Sequence, residues 1–321
     1  MRGKRHKPDV QKFQNRLFDE IFLLHYELKN RIYIHGSYLA FNISDPKPRN
    51  IHKAAVRDRL LHHAIHRQLY PFFDRKFIAD SYSCRIDKGN LRAINRFRDM
   101  AYKVGKNHTR TVWVLKCDIW KFFASVDHKV LTKILRRDIV NREIVWLIRE
   151  IINSFNSGKK GKGLPLGNLT SQLLVNVYMN ELDQFVKHKL KTRYYIRYTD
   201  DFVILSHDKK ELEQIVPKID LFLRSQLRIS LHPSKVFIKT LGSGIDFLGW
   251  IHFPDHRVLR SATKRRIIRR IKLGKVNIKS VQSYLGLLRQ GNTYKFRERI
   301  LNAATNGFGE DAMMNYGESG Y

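Results

Sequence analysis

Apolar residues along this 321-residue chain recur at two spacings, and the switches between them outline its elements. Up to about Asn30, Phe13, Leu17, Ile21 and Leu24 fall on one helical stripe. "YLAFNISDPKPRNIHKAAV" predicts a strand, a Pro-punctuated turn and the start of a helix over Asp58 to Phe73. That helix turns Leu60, Ala64 and Ile65 to a core and is ended or kinked at Pro71. Asn90 to about Lys106 predicts a basic helix, and "TRTVWVLKCDI" a β-branched and aromatic strand running into Asp118. Two helices are expected from Asp127 to about Phe155, then the basic loop "SGKKGKG". This loop is no phosphate-cradling P-loop, because no Ser or Thr follows a Gly-Lys pair. A long helix spans Ser171 to Leu190. Tyr194–Thr199 and Phe202–Leu205 read as a hairpin turning at an Asp pair, followed by a helix from Glu211 to Gln226 and short strands near Val236 and Phe247.

Composition supports a packed core rather than general disorder, with 43% hydrophobic residues including 19 Phe and 14 Tyr. Cys84 and Cys117 are the only cysteines, which excludes a disulfide framework and a four-thiolate zinc site and fits a reducing cytosol. The opening "MRGKRHKPDV" leads into no apolar secretion core, and no apolar run nears the roughly 20 residues that span a bilayer. A cytoplasmic protein with no membrane partner is expected. Charge narrows the class further. Sixty-one Lys and Arg face 29 acids, a net +32 that calls for a polyanion, and nucleic acid is the intracellular one to expect ahead of anionic membrane or an acidic protein. Ten of these cations, and no acid, lie between Arg257 and Lys279 among Ile267, Ile268 and Ile271, predicting a basic amphipathic helical lobe.

Against that balance, "RYTDDFVIL" sets Asp200 beside Asp201 between apolar runs, and Asp118 ends another apolar strand. Close carboxylates ionise together only at a cost unless a cation intervenes, and hard oxygen ligands suit Mg²⁺. Two such ions, roughly 3.5–4 Å apart, activate a hydroxyl nucleophile and stabilise a departing pyrophosphate. The bland alternative is a solvated Asp-Asp turn with Asp118 as a strand-end cap. His62, His63 and His66 share a predicted helix without a matching Cys or carboxylate set, so a packed or RNA-facing helix is the expectation there.

The surroundings of the acids decide between these readings. "KCDIWKFFASVDH", "GLPLGNLTSQ", "RYTDDFVIL", "LHPSKVF" and "GIDFLGW" occur in order, and together they resemble the palm motifs of reverse transcriptases. "DPKPRNI" and "DSYSCRIDKGN" resemble that family's fingers motifs, and "SYLGLLRQGNTYKFR" its thumb, so the likeness covers roughly residues 40 to 300. The resemblance implies an α+β right-hand polymerase. Its parts would be an N-terminal helical extension (1–35), fingers (36–111), an antiparallel-sheet palm (112–127 and 163–254) with a helical fingers insertion (128–162), a helical thumb (255–305) and a mobile tail (306–321). It makes Asp118, Asp200 and Asp201, with the Ile119 carbonyl, ligands of two Mg²⁺ ions, Mn²⁺ being a substitute. Phe123 stands where the family places a steric gate against the 2′-hydroxyl. Lys47 and Arg49 stand at its triphosphate-holding positions, Lys235 at a proposed proton donor to pyrophosphate, and Phe247, Leu248 and Gly249 at the primer-gripping turn.

Two positions depart from the commoner pattern. The family's Gln-Gly and Ser-Pro are here Leu166-Gly167 and Ser171-Gln172, as in the subgroup from diversity-generating retroelements. Such enzymes copy a template RNA into cDNA and misincorporate opposite adenine. Leu166 cannot make the polar contact of a Gln, and losing one is worth about 1–3 kcal/mol of discrimination. Thr199 replaces the more frequent Ala, Met or Val. The partners implied are template RNA, a primer or cDNA strand, dNTPs and a small basic accessory protein oligomer. A group II intron-like, retron-like or defence-associated reverse transcriptase of ordinary fidelity is the alternative. A catalytically silent RNA-binding protein on the same scaffold is a more distant one.

Overall fold

The computed structural model describes residues 3–44, 48–274 and 276–308, with side chains as far as residue 303. Lys47 and the Gly-rich tail beyond Phe308 lie outside the described residues. The chain opens with α1 (Pro8–Asn15), α2 (Leu17–Lys29), β1 (Leu39–Ile43), β2 (Arg49–Lys53), α3 (Val56–Asp74) and α4 (Asn90–Val104). Next come β3 (Trp113–Cys117), α5 (Phe122–Ser125), α6 (His128–Asp138), α7 (Arg142–Asn153) and α8 (Leu169–Gln184), which a π turn prolongs over Phe185–Lys189. Then follow β4 (Tyr195–Tyr198), β5 (Asp201–Ser206), α9 (Lys209–Gln226), β6 (Phe237–Thr240), β7 (Ile245–Phe247), β8 (Trp250–His252) and β9 (Arg257–Leu259). Three helices close the series: α10 (Ser261–Lys272), α11 (Ile278–Leu288) and α12 (Tyr294–Phe308).

Two compact units divide these elements. The first comprises the described parts of 1–89, 116–204 and 213–237. Helix α8 is its spine, packing against α3 and α6. Leu173, Leu174, Val175, Val177, Met179 and Leu182 are all buried. A helix apolar around most of its circumference is covered on most sides. Strands β4 and β5 form an antiparallel hairpin with Tyr195 opposite Ile204 and Tyr198 opposite Asp201. Beside β5 lie the last residues of β3. Strands β1 and β2 make a separate antiparallel hairpin whose first strand is exposed throughout.

Two predicted faces shift. The N-terminal helix breaks at Arg16 (φ −120°, ψ 28°), so its stripe does not continue: Phe13 and Leu24 are buried, but Ile21 is 41% exposed. In α3 the core face is Leu61, Ile65, Leu69 and Phe73, one position round from the predicted Leu60 and Ala64, which face outward. Pro71 sits inside α3 without ending it.

The second unit comprises the described parts of 90–115, 205–212 and 238–321. In it β7, β8 and β9 form an antiparallel meander, and α10 and α11 both pack on α12. Trp250, Leu259, Ile267, Val281, Leu288 and Ile300 share one core with Ile94 of α4. The basic stretch from Arg257 thus folds as β9 and α10, burying Ile267. Helix α12 runs to Phe308, three residues into the segment expected to be tail.

Candidate active site

Asp118 is carried out of the first unit's core by β3, whose final residues are buried. Its backbone is fastened on the far side. The Asp118 carbonyl accepts from the His232 amide (2.7 Å), and the Trp120 amide donates to the Ser230 carbonyl (2.9 Å). Between them the buried Ile119 bridges Leu231. This pairing brings the "LHPSKVF" segment alongside Asp118, and Lys235 Nζ donates to Asp118 Oδ2 at 3.2 Å.

The β4–β5 turn differs slightly from the prediction. Asp201 already pairs with Tyr198 as the first residue of β5, so the turn residues are Thr199 and Asp200. Thr199 adopts a left-handed backbone (φ 59°), uncommon for a β-branched residue. Two bonds hold it: its carbonyl accepts from Arg197 Nη1 (3.0 Å) and its hydroxyl donates to Ser83 Oγ (2.6 Å). Arg197 is wholly buried and grips Asp183 through Nε (2.7 Å) and Nη2 (2.6 Å), while the Tyr195 hydroxyl donates to the same carboxylate (2.8 Å). A buried ion pair survives only with its remaining hydrogen-bond groups satisfied. Here Asn176 and Ser81 complete the guanidinium's shell.

Asp201 Oδ2 accepts from Lys116 Nζ at 3.0 Å, and Lys116 is only 8% exposed. Asp200 feels burial first, then the Asp118 and Asp201 carboxylates, with Lys235 opposing. Its carboxyl is pushed up to about 6. The acids are therefore close enough to disfavour one another's charge. Among the described residues no three His, Cys, Asp or Glu side chains close into a ready-made cation cage. Each of Asp118 and Asp201 instead rests on a lysine. Hard carboxylate oxygens held against counter-charges, with a neighbour resisting ionisation, are a donor set that fits a divalent ion.

Phe123 lies half-buried on α5 with its ring edge-on to Phe122, and its carbonyl accepts from the Leu164 amide (2.8 Å). Leu166 and Gly167 are joined to β2: the His52 amide donates to the Leu166 carbonyl (2.9 Å), and Asn168 Nδ2 donates back to the His52 carbonyl (2.9 Å). Gly167 has φ 105°, and a Cβ there would stand 2.8 Å from Ile51 Cγ2, so the position demands glycine. Gln172 follows in the first turn of α8, and Arg49 is exposed at the start of β2. Phe247, Leu248 and Gly249 belong to the second unit. Phe247 is buried, while Leu248 and Gly249 turn with φ 51° and 89°. Asn90 Nδ2 donates to the Leu248 carbonyl (3.3 Å). Among the histidines, His62 packs in the core against His35 (3.1 Å between Nε2 atoms) and Thr170, and burial holds it neutral, down to about 3.

Sequence reasoning missed Lys116 and Arg197. The available signal was the same for both: one cation inside an otherwise apolar strand that ends on a candidate acid.

The family profile "Reverse transcriptase (RNA-dependent DNA polymerase)" matches residues 44–252. The chain belongs to the reverse transcriptase family. It is similar to Protein YkfC of Escherichia coli (26% identical over 287 residues, 77% of this chain and 71% of the relative). It is also similar to the group II intron-encoded protein LtrA of Lactococcus lactis (24% over 221 residues, 48% and 36%). Among solved structures, telomerase from Candida tropicalis shares the fold at TM-score 0.52 with 11% identity, covering 89% of this chain and 56% of that one. The chain thus spans most of YkfC but about a third of LtrA and about half of the telomerase. The fold is α+β, a right-hand polymerase with antiparallel sheet. Among the described residues no helix is long and apolar enough to cross a membrane.

Proposed function

We propose that this chain copies a template RNA into cDNA and does so with relaxed fidelity at template adenines, as the polymerase of a diversity-generating retroelement. The observation that carries the polymerase reading is the burial of Asp200 beside the Asp118 and Asp201 carboxylates, which together leave Asp200 resisting ionisation up to about 6. Reverse transcriptases generally use divalent metal ions. In this reading Asp118, Asp200 and Asp201, with the Ile119 carbonyl, hold two Mg²⁺ or Mn²⁺ ions. The bound ions supply Lewis-acid assistance to the primer 3′-hydroxyl and the leaving pyrophosphate. Lys116 and Lys235 balance the acids' charge. Lys235, within reach of Asp118, moves to the pyrophosphate as its proton donor. Phe123 packs under the sugar and rejects a 2′-hydroxyl, while Lys47 and Arg49 take the triphosphate as point charge and fork respectively. Phe247, Leu248 and Gly249 grip the primer.

The subgroup reading rests on Leu166, which takes a polar contact away from the nascent pair, and on Gln172 in place of the family's commoner Pro. It brings with it the fingers, palm, thumb and tail boundaries drawn from the sequence, a cytoplasmic setting and a small basic accessory protein oligomer as partner. Similarity to LtrA favours a second reading, a group II intron-like reverse transcriptase of ordinary fidelity. Purified protein, primed RNA, Mg²⁺ and dNTPs test both. Incorporation that vanishes in Asp200→Asn supports the acids' role, and full activity in that variant refutes it. Sequencing the cDNA separates the subgroups: errors concentrated opposite adenine support the first reading, and errors spread evenly over the four bases leave the second.

A further inference from the structure

We infer that the groove between α6 and α7 is a second RNA-anchoring surface, one that takes the phosphodiester backbone of a folded segment of the template RNA apart from the strand being copied. None of its residues belongs to the catalytic set above. Lys129, Lys133 and Arg136 of α6 and Arg149 of α7 line a cavity of about 360 Å³, with Thr132 and Asn153 as uncharged hydrogen-bonding groups and no acidic side chain. All four cations are exposed. None of the four makes an ion pair among the described residues. Their neighbours do: Arg137 is paired with Glu181, and Lys76 with Asp138.

Three of the four cations share one face of α6. Lys129 stands in the first turn of α6, beside the Asp127 N-cap, whose Oδ1 accepts from the Lys129 amide and leaves the ammonium itself unpaired among the described residues. Lys133 and Arg136 follow at i+4 and i+7, so like charges face each other along one stripe. An external anion relieves that repulsion. Their spacing advances along the helix by about 6 Å and then about 4.5 Å, a ladder suited to successive phosphates rather than to one isolated ion. The two lysines supply point charges and the two arginines planar forks, while the hydroxyl and amide suit sugar oxygens.

The test uses the full chain and a labelled RNA hairpin lacking a primer terminus. The variant combines Lys129→Gln, Lys133→Gln, Arg136→Gln and Arg149→Gln. Four lost contacts lower the slope of log affinity against log salt by about 3, so a fourfold rise in salt weakens wild type about 60-fold more than the variant. A control variant removes four exposed cations elsewhere in the same unit, through Lys189→Gln, Lys191→Gln, Lys218→Gln and Arg224→Gln. The groove variant losing the slope while the control keeps it supports the inference. Equal losses in the two variants, or an unchanged slope in the first, overturn it. So does a groove variant that binds the hairpin normally yet loses binding to phosphatidylserine vesicles, because the surface then serves a membrane. Extension of a short pre-annealed primer at saturating enzyme stays at the wild-type rate in the groove variant. Failure of the catalytic reading alone would show as no extension in either protein, with the hairpin result intact.

Discussion

Replacing Asp200 by Asn removes a buried charge that the metal-free protein tolerates badly. The Asp200 carboxyl rises from an ordinary 3.8 to about 6, through burial and then through Asp118 and Asp201. The folded protein therefore holds this proton more tightly than the unfolded chain does. Folding stability tied to this group is fully present below about pH 4 and is lost as pH rises through about 6. A gap of that size is worth about 3 kcal/mol, carried in full above roughly pH 6.5. In EDTA, Asp200→Asn is expected to be more stable than wild type by up to that amount at pH 7.5, with the difference closing towards pH 4. Urea unfolding of both proteins at four or five pH values reads this directly. Divalent metal narrows the difference: at ten times its dissociation constant, Mg²⁺ or Mn²⁺ adds about 1.4 kcal/mol to wild type and little to the variant. Parallel pH profiles for the two proteins would refute the claim that these acids burden one another.

Arg197→Met strands Asp183 as a lone buried carboxylate and frees the Thr199 carbonyl. A loss of about 3–5 kcal/mol is expected in urea unfolding, and a loss under 1 kcal/mol contradicts the buried-pair account. Phe123→Ala is expected to raise kcat/KM for ribonucleotides relative to deoxynucleotides by about 10-fold or more, the scale of a pocket contact. An unchanged ratio in single-nucleotide extension removes the gate. Leu166→Gln should lower the misincorporation frequency by roughly 10-fold, on a recovered polar contact. An unaltered error spectrum in sequenced cDNA ends that explanation.

How much of this was legible in the sequence differs by residue, and the reason is distance along the chain. The acids could be singled out because Asp200 and Asp201 are adjacent, Asp118 ends a strand whose apolar, β-branched character is local, and the ordered motifs around them resemble those of reverse transcriptases. Their support could not. Thr199 is held by Ser83, 116 residues away, and Asp201 by Lys116, 85 residues away. No periodicity links such pairs. The helix faces followed the same rule: α3 was found, yet its buried stripe lay one position from the predicted one. Which apolar residues of a mostly apolar helix turn inward is set by the partner, here α8. The break at Arg16 has no Gly and no interior Pro to announce it.

The seam between β2 and the Leu166–Asn168 segment carries a further consequence. Ile51 rests where only a glycine at 167 leaves it space, and reciprocal bonds through His52 join the two stretches on either side. The strand that begins at Arg49 and the loop bearing Leu166 are thus one mechanical piece. Under the roles proposed for Arg49 and Leu166, retuning nucleotide capture at the hairpin retunes copying accuracy as well, because the two adjustments share a hinge pin.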